Sequence, residues 1–432
     1  MTRVLVLGAG VSGLAAAALA RDREMTVTIY TRDYPEMALE KGFPVASGGW
    51  DPVLLTGIDL VVASPGFPER SLPIVEALEW GIPVWSEVEF AWRHLDVPVA
   101  AVTGTNGKTT VTEAASAMLE ASGIDAPAAG NIGSALSEHV GRGHAAVVVE
   151  VSSFQLRFCE EFHPAAAAIT NVALDHLDWH GSEHSYRAAK ARIFMNQTDE
   201  DLLVFDADDD GAASLVAGAQ SELFPVSGSH LPPGGGGVDD DHLVIGGLTI
   251  SIGDLVSDDP THLVNIASAS ALALRMGATA EGVAKAARSF APGPHRRSFV
   301  ARTGGVTWID DSKATNTHAA VNSIRAHDSV VLIAGGLAKG LDVAPIAREP
   351  NVRFLIGIGE AGPDLASAAG ERGRVAGTLE RAVELALELA GPGDTVLLAP
   401  GCASFDQFSS YEERGDRFAG LVRSITEEAR SG

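Results

Sequence analysis

The sequence predicts an α/β protein of three domains, each built on a mostly parallel sheet. Two observations predict it. Short apolar runs alternate with helical stretches along nearly all of the 432 residues, the pattern of strands joined by crossover helices. Polar or glycine-rich loops repeatedly follow those runs, and open parallel sheets bind ligands at strand carboxyl ends. The expected boundaries are 1–94, 95–292 and 293–432, the last at the stiff break Pro292-Gly293-Pro294.

In the first domain, residues 3–8 (RVLVLG) read as a buried strand. Gly8-Ala9-Gly10-Val11-Ser12-Gly13 then opens an alanine-rich helix, and Val27 to Tyr30 is the next strand. Strand, glycine turn and helix make a Rossmann-like start with a phosphate-binding turn. An acid that binds a ribose should end the second strand. Tyr30 stands there instead, followed by Thr31 and Arg32, and Arg32 suits a phosphate. Leu60 to Ala63 form a further strand running into Ser64-Pro65-Gly66, where Gly66 lets backbone approach a ligand closely.

The central domain opens with Val99 to Val102, an apolar strand, then Gly104-Thr105-Asn106-Gly107, Lys108-Thr109-Thr110 and a helix. This is a phosphate cradle of the ATPase kind. Backbone N–H groups of the loop and helix start point at anionic oxygens. Lys108 would neutralise the β- and γ-phosphates, and the Thr109 hydroxyl would hold Mg²⁺. The loop is tighter than GxxxxGK[ST], with Val102 where the first glycine would be. Asn131 in the turn Gly130-Asn131-Ile132-Gly133 could face a ligand or cap the next helix. The strand Ala145 to Val151 brings Glu150 to its carboxyl end, where a metal ligand belongs. A strand over 165–170 leads to Asp175-His176-Leu177-Asp178-Trp179-His180, whose placement favours His176 as a metal ligand. Tyr186 and Lys190 share a helix face, and spacing alone makes Lys190 a surface residue. The stretch 202–205 is a strand. Pro232 to Asp241 (PPGGGGVDDD) reads as a flexible loop, 243–252 as a small antiparallel hairpin, and 263–276 and 279–289 as helices.

The C-terminal domain alternates again and is Rossmann-like. Strands at 306–309, 330–334, 353–357 and 396–398 are expected, with a closing helix from about Tyr411. Three loops follow them: Asp310-Asp311-Ser312-Lys313-Ala314-Thr315-Asn316, Gly335 to Gly340 around Lys339, and Pro400 to Phe408 around Ser404.

Composition narrows the partners. A formal net charge of −25 argues against nucleic acid and anionic membranes as partners. No apolar run is long enough to span a bilayer. Met1-Thr2-Arg3 leads straight into a strand, so no export signal is expected, and two cysteines suit a reduced cytoplasmic setting. Only six of the 31 basic residues are lysines, and Lys108, Lys313 and Lys339 lie in glycine- or threonine-bearing loops. A chain that avoids lysine places it where a compact ammonium or a reactive amine is needed.

Taken together, these residues resemble the Mur ligases, the ATP-dependent amino-acid-adding enzymes of peptidoglycan synthesis, along the whole chain. The GTNGKTT loop is common to that family and to folylpolyglutamate synthases. The set GAGVSG, VEVSSFQL, NVALDHLD, YRAAK, DDSKATN and PGCASFDQF looks like that of the family's D-glutamate-adding members. The resemblance implies ATP-dependent ligation of D-glutamate to UDP-N-acetylmuramoyl-L-alanine through an acyl phosphate. Another Mur ligase or a folylpolyglutamate synthase-like enzyme is the alternative. It also implies ATP, two Mg²⁺ ions and a carbamylated Lys190 that helps fix the second ion. Val11, Ser12, Thr31, Arg32 and Gly66 would hold the uridine diphosphate. Gly104 to Thr110 and Asn265 would hold ATP, with Arg296, Asp311 and Lys313 reaching it from the last domain. Thr109, Glu150, His176 and Lys190 would serve the metal; His176 acting as a general base is the weaker role. Asn131 and Ser152 would touch substrate, and Thr315, Lys339, Ser404 and Tyr411 the D-glutamate. At Thr261 and His262 the chain departs from the family's usual His-Asn pair. The partners implied are these small molecules, with a monomer expected.

Overall fold

The computed structural model describes residues 1–33 and 35–431, with backbone alone for Asp178 and 427–431. Two compact units emerge: residues 1–172 with 179–291, and residues 173–178 with 292–432.

The first unit holds three sheets. Strands β1 (Arg3–Leu7), β2 (Thr26–Thr31), β3 (Val45–Ser47), β4 (Leu60–Ala63) and β5 (Val84–Ser86) form a parallel sheet in the order β3-β2-β1-β4-β5. Because side chains alternate across a strand, Val4 and Val6 face one apolar cluster while Leu5 and Leu7 face another. The first cluster continues through Val88, Phe90 and Ala91 of the helix Glu87–Trp92 into Val99 and Ala101 of the second sheet. That sheet comprises β6 (Val99–Thr103), β7 (Ala128–Gly130), β8 (Val147–Glu150), β9 (Ala166–Ile169), β10 (Leu202–Asp206) and β11 (Glu222–Val226). All are parallel, in the order β11-β10-β9-β6-β8-β7. Since β6 lies between β8 and β9, the loops after all three meet at one edge.

The glycine-rich stretch read as flexible contains a strand. Gly237–Asp239 (β12) pairs antiparallel with His242–Ile245 (β13), which pairs with Leu248–Ser251 (β14). The glycines are there for close packing. A Cβ on Gly235 would lie 1.9 Å from the Pro225 carbonyl oxygen, and one on Gly237 2.1 Å from that of His230. The helix Pro260–Arg275 starts earlier than expected, because Asp259 caps it by accepting from the N–H groups of Thr261 and His262.

The second unit carries one sheet of β15 (Ser298–Thr303), β16 (Val306–Asp310), β17 (Val330–Gly335), β18 (Val352–Ile358), β19 (Gly373–Gly377) and β20 (Thr395–Leu398). Its order is β15-β16-β20-β17-β18-β19. The strands are parallel except β15, which forms a hairpin with β16 through Gly304-Gly305. Sequence reading anticipates neither β15 nor β19. Both are edge strands with no fully buried residue, so they carry little of the signal that marks a buried strand.

Candidate active-site loops

The phosphate loop leaves buried β6 and is pinned from the neighbouring strand. Gly104 has φ +152°, and a Cβ there would lie 1.9 Å from Thr170 Oγ1. Asn106 N–H donates to Asn171 Oδ1 at 2.8 Å, while Asn171 Nδ2 and Thr170 Oγ1 donate to the Asn106 carbonyl at 3.1 and 2.5 Å. Lys108 Nζ donates to the carbonyls of Gly104 and Thr105 at 3.0 and 2.9 Å, across the loop it follows. Gly107, at φ +83°, starts the helix Lys108–Ala121, and a Cβ on it would lie 2.9 Å from Asn265 Oδ1. Asn265 thus stands at the loop itself. Thr110, the third residue of this helix, is buried.

Three predicted residues meet beside the loop. Glu150 is 2 % exposed; its two carboxylate oxygens accept from Thr109 Oγ1 and Asn131 Nδ2, each at 2.8 Å. Asn131 therefore faces the carboxylate. A carboxylate and a hydroxyl in contact form a hard-oxygen donor set that fits Mg²⁺. Lys190 is 1 % exposed, a correction to the surface lysine that spacing suggests. Its ammonium donates to the Gly104 carbonyl at 2.6 Å and lies 4.6 Å from the Tyr186 ring, whose hydroxyl is 2.9 Å from Thr105 Oγ1. Ser152 has a local role: with Gln155 it forms a reciprocal cap on the short helix Ser153–Leu156.

At the first sheet's edge the glycine turn is tight. A Cβ on Gly13 would lie 2.0 Å from the Gly8 carbonyl oxygen, and Ser64 Oγ would be 2.8 Å from one on Gly8. No side chain caps the helix Val11–Asp22, so Val11, 63 % exposed, and Ser12 begin it with backbone N–H groups suited to an anion. Thr31 Oγ1 donates to the Asp33 carbonyl at 2.6 Å. The Arg32 guanidinium lies 5.4 Å from the Phe67 ring centre, and Gly66 is exposed. Tyr30 is buried, its hydroxyl donating to the Gly48 carbonyl at 3.0 Å.

In the second unit the predicted loops are tied together. Gly401 N–H donates to the Ala314 carbonyl at 2.8 Å, and Leu337 and Ala403 exchange backbone hydrogen bonds at 2.9 and 3.0 Å. Lys313 Nζ lies 3.8 Å from the centre of the Tyr411 ring, so that ring faces a cation. Lys339 is held at φ +51°, its ammonium 6.0 Å from the Phe405 ring centre. Ser404 is buried, and Thr315 is half-buried. Arg296 folds back over Gly293. Burial pushes the Asp311 carboxyl up, against the pull of Arg297. His176, at φ +51°, lies in the segment that packs with this unit; Asp175 Oδ1 accepts from its N–H at 2.8 Å. The other Asp175 oxygen accepts from Asn316 Nδ2 at 3.2 Å, tying DHLD to DDSKATN. Thr109, Glu150 and Lys190 gather in the first unit, whereas His176 belongs to the second. Among the described residues no three His, Cys, Asp or Glu side chains form a ready-made metal cage.

Three family descriptions match successive stretches: the N-terminal domain of MurD-like Mur ligases at 2–86, the Mur ligase middle domain at 102–227, and the Mur ligase glutamate ligase domain at 295–402. A UDP-N-acetylmuramoylalanine–D-glutamate ligase of Frankia casuarinae is 42% identical, covering 98% of this chain and 94% of its own. The chain belongs to the Mur ligase family. An Acidobacterium capsulatum relative of the same name is 38% identical over 97% of this chain and 96% of its own. Among solved structures, a pseudomurein peptide ligase type C from Methanothermus fervidus aligns with TM-score 0.62 at 17% identity, covering 98% of this chain and 100% of its own. MurF from Acinetobacter baumannii aligns at 0.61 and 16%, covering 96% and 93%. These share the Mur ligase fold. Within this Mur ligase, sequence reading passed over the contacts of Thr170, Asn171, Asp175 and Asn316. Thr170 and Asn171 did carry a signal, since they end the strand beside the phosphate loop.

Proposed function

We propose that this Mur ligase joins D-glutamate to UDP-N-acetylmuramoyl-L-alanine at the expense of ATP, in cytoplasmic peptidoglycan precursor synthesis. One observation carries the reading: Thr109 and Glu150 are in contact beside a lysine-bearing glycine loop, on a chain 42% identical to a D-glutamate ligase along nearly its whole length. An unactivated carboxylate resists attack by an amine. An alanyl carboxylate oxygen attacks the γ-phosphorus of ATP, the bond to the β–γ bridging oxygen breaks, and ADP leaves with that oxygen. The D-glutamate nitrogen then attacks the acyl carbon, loses a proton, and phosphate departs from the tetrahedral intermediate.

The chain's residues serve these steps by holding charge and position. The Gly104–Gly107 loop and Lys108 receive the phosphates, and Asn265 the adenine. Thr109 and Glu150 would hold Mg²⁺, which supplies charge neutralisation where two anions meet. A carbamylated Lys190 would add an anion for a second ion. Val11, Ser12, Thr31, Arg32 and Gly66 take the uridine diphosphate; Thr315, Lys339, Ser404 and Tyr411 take D-glutamate. The protein works as a monomer in three functional divisions, 1–94, 95–292 and 293–432. Both cysteines are free and buried, and among the described residues no helix is long and apolar enough to cross a membrane.

The test is ADP release with ATP, Mg²⁺ and UDP-N-acetylmuramoyl-L-alanine when D-Glu, L-Glu, L-Lys or diaminopimelate is supplied. D-Glu alone should support turnover. Turnover with L-Lys or diaminopimelate in its place would reject the substrate assignment.

A further inference from the structure

Arg414 lies on the inner face of the helix Tyr411–Ser431 and is 1 % exposed. Its guanidinium reaches two separate loops. Nε donates to Ser312 Oγ at 3.0 Å and Nη2 to the Ser312 carbonyl at 2.9 Å, while Nη1 and Nη2 donate to the Cys402 carbonyl at 3.2 and 3.3 Å. A third loop passes against it: a Cβ on Gly336 would lie 3.3 Å from Nη1. Ser312 Oγ itself donates to the Tyr411 carbonyl at 2.8 Å. All these partners are neutral oxygens, and among the described residues no carboxylate pairs with this guanidinium. Burying a cation costs solvation, and burial draws this one down to about 10, against the longer-range pull of Cys402, Asp406 and Asp310. Such a group persists for its donors: five N–H groups spread over a rigid plane reach acceptors on separate loops in fixed geometry, whereas an ammonium has three donors on a single nitrogen.

We propose that Arg414 is a positioning residue for the incoming amino acid. Its fork locks the loops bearing Lys313, Lys339 and Ser404 into one receptor at the sheet's carboxyl edge. The inference rests on the reading that this edge receives D-glutamate. Ser404 follows Cys402 by two residues, Lys313 is next to Ser312, and Lys339 follows Gly336 by three. Slack of an ångström in any of these loops would misplace a cation or a hydroxyl that must meet a carboxylate, and the cost would fall on amino-acid affinity.

The test measures D-glutamate, ATP and UDP-substrate kinetics of Arg414→Lys and Arg414→Gln well below their melting temperatures. Both variants should raise the D-glutamate KM tenfold or more, with the other two KM values within about twofold. Arg414→Lys should not rescue, because charge without the fork is insufficient. A lowered Tm with an unchanged D-glutamate KM overturns the proposal, as does full rescue by Lys. Should neither variant fold, Ser312→Ala removes one partner of the fork. It should raise the D-glutamate KM severalfold, and an unchanged value rejects the idea. D-glutamate-dependent ADP release by the unaltered protein tests the underlying reading separately.

Discussion

At the scale of single residues, burial changes what each functional side chain can do. Lys190 has its ammonium on the loop's own carbonyl and against the Tyr186 ring. If its amine is carbamylated, Lys190→Ala should lose most activity, and a short-chain carboxylate should restore part of it. Full activity of that variant without bicarbonate or carboxylate would discard the modification. Arg32 lies on the first sheet's edge, over Phe67. Removing a charge-assisted contact costs about 1.5–3 kcal/mol, so Arg32→Ala should raise the KM for the UDP substrate about ten- to a hundredfold. The KM for ATP should hardly move. Steady-state kinetics with each substrate varied in turn decides this, and the opposite pattern would exchange the two nucleotide sites.

At the scale of elements, turns and edges hold the functional groups. The Gly104 turn uses a backbone conformation closed to other residues and a space already filled by Thr170. Gly104→Ala should therefore cost about 2–4 kcal/mol from strain and overpacking, read as a lower urea midpoint together with weakened ATP binding. Adding Thr170→Ala should recover part of that loss, because the two changes share one contact. Two strictly additive losses would show that the clash is not the cause. The same physics explains the glycine run at 234–237. Read as a string it is loop-like, yet carbonyl oxygens stand where Gly235 and Gly237 would carry a Cβ. Close approach and flexibility demand the same residue, so composition alone cannot separate them.

At the scale of the molecule, the first unit's two parallel sheets share one apolar core, and an acid is buried along it. Glu87 is 1 % exposed; one carboxylate oxygen accepts from Ser137 N–H at 2.6 Å and the other has no hydrogen-bond partner. Burial pushes its carboxyl from 4.5 up to about 7. The folded chain thus keeps a proton that the unfolded chain releases near 4.5. Stability is greatest below that value and falls as pH rises towards 7, by about 3 kcal/mol. Glu87→Gln should flatten this slope, making the variant more stable than the parent at pH 8 and nearly equal to it at pH 5. Urea unfolding at both pH values checks it, and equal slopes would rule Glu87 out.

Fold class, phosphate loop and family are all legible in the order of the residues. Buried parallel strands must be apolar on both faces, and a phosphate loop must have glycine where no Cβ fits. Those demands are local and leave a readable pattern. The burial of Lys190, the clamp of Asn171 on Asn106, the meeting of Asp175 with Asn316 and the bonds from Arg414 to two loops appear only once the chain is folded. Asn106 and Asn171 lie 65 residues apart, and Asp175 and Asn316 lie 141 apart. Contacts at such separation depend on strand order, which places β9 beside β6 and β20 between β16 and β17. Strand order depends on how all the apolar faces are buried together, and no short window of sequence contains that.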